Sequence, residues 1–136
     1  MNQRIVLDSF AVVSLFHKEQ GWKKVSDILH KLSASGEKAA LCLINWGEFY
    51  YIAMRRVGKR KAQEALALLE QLPIEIIPVD TRLVRDAAEI KAEHPIAYAD
   101  AFCIATAKRL DGQVLTNAPE FRSIGDLIPI IWLTSK

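Results

Sequence analysis

Ala97-Tyr98-Ala99-Asp100-Ala101-Phe102-Cys103-Ile104-Ala105 opens the stretch that decides how this chain folds. It continues through Thr106-Ala107-Lys108-Arg109-Leu110-Asp111-Gly112 and Gln113-Val114-Leu115-Thr116 to Asn117-Ala118-Pro119-Glu120-Phe121. The first part is apolar nearly all round over a helical length, the pattern of a helix buried on most of its faces. Gly112 ends that helix, Gln113 to Thr116 reads as a short strand, and Asn117 to Pro119 signals a turn. Asp100 is the only charge between Ala97 and Ala105. A carboxylate there is costly to bury unless something pairs with it.

Working outward, the same alternation repeats. Arg4 to Leu7 reads as a buried strand, Asp8-Ser9 offers an N-cap, and Phe10 to His17 continues as a helix. Gly21 to Ser33 is a second helix, with Trp22, Val25, Ile28, Leu29 and Leu32 on one stripe. Ala40 to Ile44 is a second strand, and Asn45 can cap a third helix running to about Val57. Gly58 breaks it, Lys59 to Leu72 forms a fourth helix, and Pro73 stops that one. Ile74 to Val79 is a third strand, and Asp80 or Thr81 caps a fifth helix through about Glu93. After the buried helix and fourth strand, Pro119 to Arg122 suggests a helical turn and Ile128 to Leu133 a fifth strand. Strands alternate with helices and no hairpin signal joins neighbours. The expected fold is therefore α/β: a single-domain, three-layer α/β/α arrangement over residues 1–136 with a mostly parallel sheet of about five strands.

Composition narrows the classes. A chain of 136 residues, about half of them hydrophobic and a quarter charged, has room for one sizeable core. A net charge of +2 is too mild to establish a nucleic-acid partner. Cys42 and Cys103 sit in apolar runs without metal-ligand spacing and read as buried thiols of a cytoplasmic protein. Ile5 to Phe16 is interrupted by Asp8 and Ser9 and lacks a clean cleavage site, so no signal peptide is expected. No run reaches membrane-spanning length.

Three acids stand alone in apolar islands. Asp8 is the only charge from Ile5 to Phe16, Glu48 the only charge from Leu41 to Met54, and Asp100 the third. Each has a structural explanation by itself: Asp8 as an N-cap, Glu48 in a loose capping box with Asn45, Asp100 as an acid in a first helical turn. In a parallel sheet, however, Asp8 after the first strand and Glu48 early in the helix after the second fall on one edge. Asp100 joins them if its helix starts there, and that edge is where such sheets bind ligands. Carboxylates so grouped cannot all stay ionised without a cation. Oxygen ligands select hard ions, Mg²⁺ or Mn²⁺, and His17, His30 and His94 are too scattered for zinc. An ion held this way suits phosphodiester chemistry.

The motifs Ile5-Val6-Leu7-Asp8-Ser9, Asn45-Trp46-Gly47-Glu48, Tyr98-Ala99-Asp100-Ala101-Phe102 and Val114-Leu115-Thr116-Asn117-Ala118-Pro119-Glu120-Phe121 resemble, in this order, a PIN domain of the VapC-like toxin kind. The resemblance covers nearly the whole chain. It implies a Mg²⁺- or Mn²⁺-dependent endoribonuclease acting on RNA, usually a homodimer, neutralised by a cognate antitoxin. It implies that Asp8, Glu48 and Asp100 bind metal and position the attacking water, with Ser9 and Thr116 supplying assisting hydroxyls. One departure stands out: a further Asp common in the family is Ala118 here. Asn117 or Glu120 is left as a substitute donor, and an alternative reading is a PIN-fold binding module with impaired activity.

Arg55, Arg56, Lys59, Arg60 and Lys61 form the densest basic cluster. It reads either as a solvated helix end or as a surface for RNA phosphates. Of Trp46, Tyr50 and Tyr51, one or two are expected in the core and an exposed one is free to stack on a base or join a dimer face. A receiver-type signalling domain shares the length and alternation. It needs an acid pair after the first strand and a lysine after the last, and neither is present.

Overall fold

Residues 3–134 are described by a computed structural model. The elements in chain order are β1 (Ile5–Leu7), α1 (Ser9–His17), α2 (Trp22–Ala34), β2 (Ala39–Cys42), α3 (Leu43–Val57) and α4 (Lys59–Leu69), then β3 (Ile74–Ile77), α5 (Thr81–Glu93), α6 (Tyr98–Arg109), β4 (Gln113–Thr116), a 3₁₀ turn (Pro119–Ile124) and β5 (Ile130–Trp132). The strands form one sheet in the order β3-β2-β1-β4-β5, and every pair is parallel.

Side-chain alternation sets the two layers. Val6 pairs in register with Ala40 and Val114, and all three enter the core under α5 and α6. Leu7 pairs with Leu41 and Leu115, and these enter the opposite core with α1, α2, α3 and α4. Both rows are fully buried, as expected of strands covered on both sides. Each buried Leu contributes roughly 1.5–3 kcal/mol. The helix α6 is buried without a break from Asp100 to Ala107, as its apolar surround requires.

The turn from α6 to β4 differs in mechanism from the sequence reading. The helix closes at Arg109, and Asp111 takes the left-handed conformation at φ 51°. Gly112 is needed for close approach instead: a Cβ there would stand 2.6 Å from the Arg4 carbonyl oxygen.

Several boundaries move. The helix α3 begins at Leu43, directly after β2, with Cys42 at the N-cap position. Asn45 therefore does not cap it, and Glu48 lies in its second turn, outside any capping box. The strand β3 stops at Ile77 because Pro78 offers no N–H to a ladder. The helix α4 ends at Leu69, short of Pro73. Pro129 lends β5 only a carbonyl, which accepts from the Val114 N–H, and the strand proper starts at Ile130. The predicted turn at Pro119 extends to Ile124, burying Phe121 and Ile124 at the three-residue spacing of a 3₁₀ helix.

The chain runs from β1 outward through β2 to β3, then returns to lay β4 on the other side of β1. The switch point thus lies between β1 and β4, and the crevice at their carboxyl ends is where this class of sheet binds ligands.

Candidate active site

Asp8 follows β1 directly at that switch point and is 1 % exposed. It caps α1: Oδ1 accepts from the Ala11 N–H at 2.8 Å. Its Oδ2 accepts from the Thr116 hydroxyl at the end of β4. Thr116 Oγ1 in turn accepts from the Ala118 N–H at 2.9 Å. A backbone amide, a hydroxyl and a carboxylate therefore form one buried chain across the switch point. Burial pushes the Asp8 carboxyl up to about 7, with Asp100 and Glu48 adding to the rise and the Thr116 and Ala11 bonds opposing it.

Asp100 sits in the first turn of α6 and is 9 % exposed. Burial, then the charges of Glu48 and Glu120, push it up to about 6. Glu48 is half-buried on α3; its Oε1 accepts from the Ser9 hydroxyl, and its Oε2 lies 3.5 Å from the Tyr51 hydroxyl. The three sequence-flagged acids thus act on one another electrostatically, and a fourth, Glu120 on the 3₁₀ turn, reaches Asp100. Asn117 is engaged elsewhere by one bond: its Oδ1 accepts from the Thr134 hydroxyl at 3.0 Å.

This donor set consists of carboxylate oxygens, the chemistry that suits hard divalent ions. Bringing such a cation among them would offset the burial and the mutual repulsion that together raise Asp8 and Asp100. As the side chains stand, no three Asp, Glu, His or Cys groups among the described residues are drawn together tightly enough to hold an ion. Both Asp8 oxygens and Glu48 Oε1 are engaged by protein donors, but an ionised carboxylate retains further lone pairs for a metal. The donor chemistry fits; the side chains would have to draw inward. A groove of about 560 Å³ along β5, between Arg122 and Trp132, contains none of these acids.

A sequence model described as the PIN domain matches residues 5–127. The chain belongs to the PIN domain family. Its fold is also that of solved VapBC structures. The VapBC2 structure from Rickettsia felis, bound to a promoter DNA fragment, has a chain that superposes with a TM-score of 0.76 at 19% identity, covering 94% of this chain and 97% of that one. A DNA-bound VapBC from Salmonella typhimurium gives a TM-score of 0.74 at 18% identity over 97% and 99%. VapC20 from Mycobacterium tuberculosis, described as a sarcin-ricin loop cleaving toxin, gives a TM-score of 0.64 at 19% identity over 81% and 86%. No curated protein sequence matches the chain. The receiver reading falls with the strand order, since that fold runs 2-1-3-4-5 and this PIN domain runs β3-β2-β1-β4-β5.

The basic cluster of this PIN domain is partly spent on internal contacts. Arg56 pairs with Glu19 at 2.8 Å, and Arg60 lies 3.8 Å from Glu64 on an exposed helix face. Arg55 stacks over the Tyr51 ring at 5.0 Å, and Lys59 makes no ion pair among the described residues. Trp46 and Tyr50 are half-buried and lean on one another, while Tyr51 is exposed beside Glu48. Sequence reasoning missed the role of Asn45, whose Nδ2 donates to the Ala99 carbonyl at 3.1 Å. An amide in an apolar run is the available signal, though the same residue type suits a cap. No helix among the described residues is long and apolar enough to cross a membrane.

Proposed function

We propose that this PIN domain is a Mg²⁺- or Mn²⁺-dependent endoribonuclease of the VapC toxin kind, acting as one unit over residues 1–136 in the cytoplasm. One observation carries the reading: two buried carboxylates at the switch point, Asp8 and Asp100, hold raised proton affinities that other acids help to create. A site that costs this much to leave uncompensated is built for a cation.

Asp8, Glu48 and Asp100 would hold the ion. When bound, it supplies positive charge for the phosphodiester and lowers the pKa of a water. The chain's own groups do the rest. Thr116, fixed by the Ala118 N–H, holds the Asp8 carboxylate in one orientation, and Ser9 does the same for Glu48. Burial keeps bulk water from Asp8. Arg55 and Lys59, exposed and without ion-pair partners among the described residues, are the members of the basic cluster best placed for RNA phosphates, ahead of Arg56 and Arg60. A homodimer and a cognate antitoxin, whose tail lays a basic side chain among the acids, complete the reading by resemblance.

A second reading rests on Ala118. The position is 1 % exposed and has no side-chain donor, so the site lacks a carboxylate there. In that case the domain binds RNA or protein with little cleavage. Incubating purified, antitoxin-free protein with a panel of structured RNAs in Mg²⁺, Mn²⁺ or EDTA separates the two. The first reading expects cleavage with either metal and none in EDTA; intact RNA under every condition favours the second.

A further inference from the structure

Asn45 lies three residues before Glu48, on the same side of α3, and is fully buried. Its Nδ2 donates to the carbonyl of Ala99, the residue beside Asp100 in the first turn of α6. A carbonyl can only accept, which fixes the amide's orientation. The Asn45 Oδ1 is consequently left buried with no donor among the described residues. Half the hydrogen-bonding capacity of this side chain is unused in a place shut off from water. As a means of stabilising a core this is poor, because an unmet buried acceptor counts against folding. Leucine, close in size, would fill the space without it. What leucine could not do is join α3 to α6 at the point where each carries an acid.

We propose that Asn45 is a positioning residue whose bond to Ala99 sets the separation of Glu48 and Asp100, and with it their ability to share a divalent cation. The inference rests on the carboxylate site of the proposed function. It extends that site inward by one shell: the amide never touches the ion, but it decides where two of the ligands stand. The tie runs between two helices that pack together.

The test is Mn²⁺ binding to RNA-free protein by electron paramagnetic resonance, with Asn45→Leu and Asn45→Ala beside the unaltered chain. Both variants lack the donor, but leucine fills the space and alanine leaves a cavity. Their melting temperatures should therefore rank leucine above alanine, while Mn²⁺ affinity falls in both by a similar factor, roughly 10–100-fold. A folded variant that binds Mn²⁺ as well as the unaltered chain overturns the role of Asn45. So does a loss of affinity confined to the less stable variant, since it would follow packing and not the hydrogen bond. If the unaltered chain binds no Mn²⁺, the carboxylate-site reading itself fails and this inference fails with it.

Discussion

The carboxylate cluster has a buried half and an open half, and they differ in how the fold treats them. Asp8 and Asp100 are enclosed, and burial is the largest cause of the raised proton affinity of each. Glu48 is half-buried on α3 and Glu120 exposed on the 3₁₀ turn. The difference assigns the work. On the proposed function, the buried pair would set the competition between proton and metal, while Glu48 would add a third ligand and Glu120 further negative charge beside Asp100.

The largest effect should come from the buried half. Asp8→Asn and Asp100→Asn are each expected to lower metal-dependent RNA cleavage on the order of 10²–10³-fold, the loss typical when one charge-stabilising group is removed. Asp8→Asn retains the acceptor for the Ala11 N–H, so circular dichroism should show an intact fold. If Glu120→Gln costs as much cleavage as either Asp variant, the division between halves is wrong.

Next is the pH dependence of the metal-free protein. Asp8 rises from an ordinary 3.8 to about 7 in the folded state, so folding takes up a proton between those values. Its contribution to stability is complete below about pH 4 and is lost as pH climbs through about 7, a decline on the order of 4 kcal/mol at most. Asp100, raised to about 6, adds to the slope over the lower part of the same window. Melting temperature should therefore fall from pH 4 to 7 without metal, and Mg²⁺ should flatten the curve. In Asp8→Asn the slope should shrink and stability at pH 8 should rise; a slope that stays unchanged would mean that Asp8 is not the titrating group.

Two smaller changes sharpen the comparison. Thr116→Val removes the donor to Asp8 and the acceptor for the Ala118 N–H, and should cost about 1–3 kcal/mol, with Thr116→Ser largely restoring it. Ala118→Asp adds a carboxylate at a buried position beside this chain of bonds. It is expected to lower the metal-free melting temperature and raise Mg²⁺ affinity. Superimposable melting curves at every Mg²⁺ concentration would show that position 118 is no ligand position.

The legible parts of this protein were those written in local chemistry. Apolar runs of period and length proper to parallel strands gave β1 to β5, and the helix around Asp100 announced its burial through the absence of any polar face. The lone acids were visible because charge is rare in such runs. What escaped was long-range. Asn45 has a residue type that suits a cap, and only the approach of α6 turns its amide toward Ala99. Glu120 was legible as a substitute donor, but its influence on Asp100 comes from a turn whose Phe121 is buried in the core. The bond that engages Asn117 likewise comes from Thr134, far along the chain.

Calorimetric titration of Mn²⁺ into the metal-free protein at two pH values tests the buried pair most directly. Metal ligands must be deprotonated, so with Asp8 near 7 and Asp100 near 6 binding should release roughly 1–1.5 protons at about pH 6 and almost none at about pH 8.5. Affinity should be higher at the upper value, and Asp8→Asn should abolish most of the release. Binding with the same affinity and no proton release at either pH would contradict the account, because the ion would then be held by groups other than the buried carboxylates at the switch point.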